Sequence, residues 1–327
     1  LQSDITSPFP PLDLMVHIGE ISAASFNDTI PAKEVWRVSE DGELRDPFKK
    51  LTTVFQMSEE MFFLHYGKDG CNRHVLIDEC RELFGEIYEQ IPELPFCNIW
   101  TAMQLSSRLP KGALFHMGVS NTRRCWNMFQ LPESVESACN VGCCGIDGCV
   151  STLVGASLVN PDRLCYVVVG DLTFFYDLNS LGNHHIGTNL RVMLVNNGRG
   201  TEFRLGIHHC NVFGDDADKY MAAAGHFGNK SPLLVKHYAE DLGFHYLSAT
   251  TKEEFMTALS NFTNPQLSDH SMILEVFTDS KDESEALYLM SHIQSDAKGM
   301  VRSKLKDAVR NVAGEKGINA IKKILKK

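Results

Sequence analysis

The stretch "CYVVVGDLTFFYDLNSL", Cys165 to Leu181, opens with five apolar residues and then breaks at Gly170 and Asp171. A continuous apolar run of this length is the pattern of a strand buried on both faces. A carboxylate at the mouth of such a strand calls for a role that a neutral loop residue would not fill. The next strand-like run, "LRVMLVNNGRG" from Leu190, poses the same question, because it ends in Asn196, Asn197 and Gly198.

Outward from these two runs, the chain after Pro95 alternates helix and strand. Helical patterns cover "CNIWTAMQLSSRL", "SNTRRCWNMF", "CVSTLVGASLV", "FYDLNSLGNHHI", "PLLVKHYAEDLG" and "TKEEFMTALSNF". Between them "ALFHMG", "CYVVVG", "RVMLVNN", "FHYLSA" and "SMILEVFT" read as strands, and "GCCGIDG" is a Gly-rich turn. Strands of continuous apolar character alternating with helices predict an α/β fold, a parallel sheet covered by helices on both faces. Before Pro92, "LDLMVHIGE" and "EVWRVSEDGELRDP" are short strands closed by turns, with helical patterns in "ISAASFNDTI", "SEEMFFLHYGKD" and "RHVLIDECRELFGEIYEQI". This part reads as the end of a smaller α/β unit. The expected organisation is residues 1–90 as a partial domain and linker helix, 91–290 as the main domain, and 291–327 as a helical tail.

Composition narrows the function classes. The chain has 327 residues, 43% hydrophobic and 22% charged, with a net charge of −10, which argues against a nucleic-acid binder. The charge is uneven: residues 291–327 carry ten Lys and Arg against three acids. Basic and apolar residues there recur at helical spacing, as expected of a hairpin packing its apolar stripe on the body. No run approaches 18 apolar residues, so stable membrane insertion is not expected. No signal peptide is visible at the start, and cytoplasmic residence is the expectation. Ten cysteines in such a chain read as reduced thiols. Cys139, Cys143, Cys144 and Cys149 cluster without CxxC spacing and are expected as small buried side chains, not a zinc or iron–sulfur site.

In a right-handed βαβ unit both strands end at the same sheet edge, where ligands bind open α/β sheets. Asp171 and Asn197 then share that edge. One carboxylate and one amide oxygen, with a nearby main-chain carbonyl, make a half-site for Mg²⁺ that leaves positions for water and phosphate. On spacing alone this reading stands level with a second, in which both residues cap strand ends.

Resemblance separates the two. Gly170-Asp171, about 25 residues, then Asn196-Asn197 is similar to the diphosphate signature of the thiamine diphosphate-dependent enzyme family. "GDLTFFYDLNSL", "GIDG" with "STLVGAS", and "GVSNTRR" together resemble that family's menaquinone-pathway synthases, from about residue 12 to residue 280. The resemblance implies thiamine diphosphate and Mg²⁺ (or Mn²⁺) as cofactors, with Asp171, Asn197 and the backbone carbonyl of Arg199 on the metal. Gly145, Ile146, Asp147, Gly170, Asp171, Leu172 and Asn197 would hold the cofactor, Ile146 as the wedge beneath its bent rings. Ser120 and Arg124 would meet an acidic substrate, since a guanidinium fork suits carboxylates.

The implied reaction is decarboxylation of a 2-oxo acid such as 2-oxoglutarate and carboligation to an isochorismate-like acceptor. The implied assembly is a homodimer or homotetramer, or a complex with a separate subunit. The cofactor-activating Glu of the family lies on a pyrimidine-binding domain, so no catalytic residue is assigned here. Three positions depart from the pattern. Val141 stands where the synthases carry a substrate-facing Arg, and Glu202 and Arg204 stand where they carry apolar residues. His184, His185, His208 and His209 are expected as surface or helix-end histidines.

Overall fold

Two short parallel sheets organise the molecule. The computed structural model describes residues 12–19, 32–67, 75–142, 145–205, 208, 210, 212–214, 216 and 231–293. The chain divides into two compact units, with a boundary between Pro92 and Glu93. Among the described residues no helix is long and apolar enough to cross a membrane.

In the first unit β1 (Leu12–Ile18), β2 (Ala32–Ser39) and β3 (Leu51–Gln56) pair in parallel, in that order. A small core of Ala32, Val35 and Phe48 lies against β2. Helices α1 (Glu59–Tyr66) and α2 (Val75–Glu89) follow. Ser58 caps α1 by accepting the Met61 N–H, the usual answer to the unpaired donors of a first helical turn. Strand β3 was not anticipated, because "LTTVFQ" is short and lacks strict alternation. The helical reading of "ISAASFNDTI" lies outside the described residues.

The second unit holds α3 (Asn98–Leu105), β4 (Leu114–Met117), α4 (Asn121–Trp126), β5 (Glu136–Cys139), α5 (Cys149–Val159), β6 (Cys165–Gly170) and α6 (Asp171–Tyr176). It continues with β7 (Leu190–Asn196), α7 (Leu234–Asp241), β8 (His245–Ala249), α8 (Lys252–Phe262), β9 (Met272–Phe277) and α9 (Ser280–Ser291). The six strands are all parallel, in the order β5-β4-β6-β7-β9-β8. This is the α/β architecture expected from the continuous apolar runs. Strand β7 is buried along its whole length and β6 as far as Val169. Cys149, Val150, Leu153 and Val154 of α5 join Val167, Val169, Val192 and Leu194 in one core. Each such side chain contributes about 1.5–3 kcal/mol relative to exposure.

Two local readings change. Strand β5, "ESAC", escapes sequence patterning because three of its four residues are exposed at a sheet edge. The helix expected over Phe175–Ile186 begins instead at Asp171. Gly170, extended at φ −77 and ψ 167, passes the chain from strand to helix without a loop. A short 3-10 turn then covers Leu178–Gly182. The basic tail, apart from the end of α9 to residue 293, lies outside the described residues.

Candidate functional site

The chain leaves β4 for β5 on one side and returns to β6 on the other side of β4. That reversal opens a crevice at the carboxyl ends of β4 and β6, the place where open parallel sheets take ligands. Gly118, just past β4, donates its N–H to the Val168 carbonyl at 2.7 Å. A Cβ there would stand 3.3 Å from that oxygen and from the Val169 Cα, so a larger residue would need the β6 backbone to give by a few tenths of an ångström.

Asp171 opens α6 and is buried, with its Oδ1 accepting the Leu172 N–H at 2.8 Å. On the neighbouring strand Gly170 lies opposite Val195. Asp171 therefore continues toward Asn196, with Asn197 one residue beyond. Gly198 takes the left-handed conformation at φ 81, which turns the loop so that Asn197 Oδ1 accepts the Arg199 N–H at 3.3 Å. Asn196 donates through Nδ2 to Glu275 Oε1 at 2.7 Å, while its own Oδ1 is buried with no hydrogen-bond partner. A buried oxygen without a donor is costly in isolation and suits a cation or a ligand donor.

Among the described residues no group of three or more His, Cys, Asp or Glu could hold a metal by itself. What the edge offers is hard oxygen: the Asp171 carboxylate, the Asn197 amide and the Arg199 carbonyl. Mg²⁺ or Mn²⁺ fits that donor set better than a soft or imidazole-loving metal.

The turn before α5 comes to the same strand ends. Gly145 lies beside the Asp147 side chain, whose Oδ1 would stand 2.6 Å from a Cβ there. Ile146 is half-buried, Asp147 is exposed, and Gly148 caps α5 at φ 82. Asp177 Oδ2 accepts the Ser151 N–H at 2.6 Å, pinning this turn to the segment that carries Asp171.

No family model matches the sequence. Curated relatives do. The 2-succinyl-5-enolpyruvyl-6-hydroxy-3-cyclohexene-1-carboxylate synthase of Bacteroides fragilis is 33% identical over 263 residues, covering 79% of this chain and 45% of that protein. Those of Phocaeicola vulgatus and Bacteroides thetaiotaomicron are each 32% identical, covering 79% of this chain and 44% of theirs. Over that span, this chain is similar to these synthases at 32–33% identity. The chain spans about 45% of the length of the curated relatives it matches.

The other side of the crevice is shaped by Ser120 and α4. Ser120 sits at φ 59 and ψ −122, outside the preferred regions for a residue with a Cβ. Such strain costs about 1–3 kcal/mol and concentrates at sites where geometry matters. Arg124 makes a two-point ion pair with Glu202, at 2.6 Å to Oε2 and 2.9 Å to Oε1. Only 12% of the Arg124 side chain and 22% of Glu202 is exposed. Burial works against the Arg124 charge, yet the hydrogen bonds and charge of Glu202 outweigh it and raise the pKa. Val141 is half-buried. The Arg204 side chain lies outside the described residues.

Three carboxyl groups escaped the sequence reading. Asp177, within the stretch that opened the reading, is the pin described above. Glu275 on β9 accepts from both Asn196 and the Tyr246 hydroxyl, each at 2.7 Å, and burial raises its pKa. Glu283 on α9 accepts the Asn98 N–H at 3.0 Å and the Thr278 hydroxyl at 2.7 Å, leaving Oε2 without a partner. Burial pushes Glu283 up to about 7, and the charges of Asp282 and Asp171 add to the shift. Little local marks these three, because all their partners but Thr278 lie 26 to 185 positions away.

The remaining expectations are placed as follows. His184 and His185 are exposed, and His184 lines a cleft of about 450 Å³ at the opposite, amino edge of the sheet. His208 is half-buried, and His209 lies outside the described residues. Cys149 is buried, with its thiol pushed up to about 11 by burial, while Cys139 is half-buried. Cys143 and Cys144 lie outside the described residues.

Proposed function

We propose that residues 91–290 form the diphosphate- and metal-binding half of a thiamine diphosphate-dependent decarboxylating carboligase. The observation that carries this reading is the parallel register of β6 and β7, which brings Asp171 and Asn197 to one edge beside the crevice between β4 and β6. Asp171, Asn197 and the Arg199 carbonyl would hold Mg²⁺ or Mn²⁺ against the cofactor diphosphate. Gly145, Ile146, Asp147, Gly170 and Leu172 would line the cofactor, with Ile146 beneath its rings. When bound, thiamine diphosphate supplies a carbanion equivalent that takes up a 2-oxo acid and releases CO₂. This chain's own residues orient that group, neutralise the diphosphate and keep the buried edge dry. The relatives' name, which joins a succinyl group to an enolpyruvyl-hydroxycyclohexene carboxylate, supports a 2-oxoglutarate-like donor and an isochorismate-like acceptor. The assembly is a homodimer, a homotetramer or a pairing with a pyrimidine-domain subunit.

The test is calorimetric titration of thiamine diphosphate with Mg²⁺ into the full-length protein and its Asp171→Ala variant. Affinity should fall roughly 100-fold or more in the variant, as loss of a first ligand exceeds the 10–100-fold cost of losing its support. Equal, tight binding in both would sink the metal assignment. CO₂ release from 2-oxoglutarate, with and without isochorismate, tests the substrates. A related enzyme with another substrate is the second reading, favoured by the Arg124–Glu202 pair.

A further inference from the structure

Arg124 offers a largely buried guanidinium fork, and its two terminal nitrogens are already taken by Glu202. The arginine rides on α4, which follows β4, and its N–H is bonded to the Ser120 carbonyl at 3.1 Å. Glu202 sits in a four-residue 3-10 turn, Thr201–Arg204, that follows β7. Strands β4 and β7 are the two neighbours of β6. The ion pair therefore joins the elements that flank the strand end carrying Gly170 and Asp171, across 78 positions of sequence.

Both terminal nitrogens of Arg124 are committed to the two oxygens of Glu202. Glu202 thereby occupies the two-point face formed by the terminal nitrogens, and the pair as a whole carries no net charge. Its partial burial leaves little water to compensate a second anion brought alongside. The partners sit on different kinds of element: the arginine belongs to a helix that follows β4, the glutamate to a short 3-10 turn that follows β7.

We propose that Glu202 is a built-in competitor for the anion site of Arg124. A ligand carboxylate takes the two-point face of Arg124 only by displacing Glu202, which weakens the binding of a dicarboxylic 2-oxo acid and leaves one with an uncharged far end unaffected. That the ligand is a 2-oxo acid rests on the function proposed above; the competition for Arg124 does not.

Calorimetry on the full-length protein without cofactor tests this, with 2-oxoglutarate and 2-oxobutyrate as probes. Glu202→Gln keeps the side-chain shape and removes the competing charge. It should raise 2-oxoglutarate affinity at least tenfold and leave 2-oxobutyrate within twofold. Arg124→Gln with Glu202→Gln removes both charges together and should cancel the gain. Thermal melts with and without 2-oxoglutarate give a second readout, with ligand raising the midpoint of Glu202→Gln far more than that of the parent. Unchanged or undetectable 2-oxoglutarate binding in Glu202→Gln overturns the proposal, as does a gain that survives loss of Arg124. Failure of thiamine diphosphate to bind in a parallel titration counts against the enzyme reading alone.

Discussion

Asp177 reaches 26 positions back along the chain to accept the Ser151 N–H at 2.6 Å. One carboxylate thereby ties the first turn of α5, with the Gly145–Asp147 turn before it, to the segment that begins at Asp171. The pin works because Ser151 lies in the first turn of α5, whose N–H groups have no partner within the helix. Burial of Asp177, 8% exposed, shields the bond from competing water.

Removing that pin should loosen the cofactor side of the crevice before it unfolds the domain. Asp177→Ala is expected to cost about 1–3 kcal/mol, the penalty of an unsatisfied buried donor, and to weaken thiamine diphosphate binding. Asp177→Asn keeps an acceptor oxygen and should recover most of both. Chemical denaturation and cofactor titration on the two variants measure this; identical losses in Ala and Asn would argue against the hydrogen bond as the cause.

Glu275 anchors the loop that carries Asn197 by holding its neighbour Asn196. Glu275→Ala leaves the Asn196 amide and the Tyr246 hydroxyl unpaired, and a loss of about 2–4 kcal/mol is expected. Tyr246→Phe removes one of the two contacts and should cost less. If the anchor positions the loop, Glu275→Ala also lowers Mg²⁺-dependent cofactor affinity while Tyr246→Phe does so weakly. Equal cofactor affinity in parent and Glu275→Ala would confine Glu275 to stability.

Glu283 should give the protein a recognisable pH dependence. Its carboxyl titrates from 4.5 as the ordinary value up to about 7 in the folded chain, so between those values the folded state holds the extra proton. The stability this proton supplies is full below pH 4.5, declines as the pH rises through the window, and is gone above about 7. The total is on the order of 3 kcal/mol. Glu283→Gln, neutral at every pH, should flatten this slope. Denaturant melts of parent and variant across pH 4–8 provide the difference curve, and parallel curves would mean that Glu283 titrates normally.

The sequence by itself determined the alternation of helix and strand and the two strand ends that matter. Both are local properties: "CYVVV" and "LRVMLV" are buried runs whatever surrounds them, and Gly170-Asp171 and Asn196-Asn197 interrupt them in plain view. The "GIDG" turn was legible for the same reason, since glycines mark conformations that other residues resist. Tertiary structure decided what those ends face. Only the strand order puts β4 beside β6 with β5 outside, and only that order opens the crevice at Ser120. Arg124 reads in sequence as a carboxylate receptor; in the fold it is already holding Glu202, 78 positions away. Asp177, Glu275 and Glu283 were ordinary acids until burial matched each to a distant donor. Pairings of this kind leave no periodicity behind, because they are set by which buried groups the closed fold leaves without water.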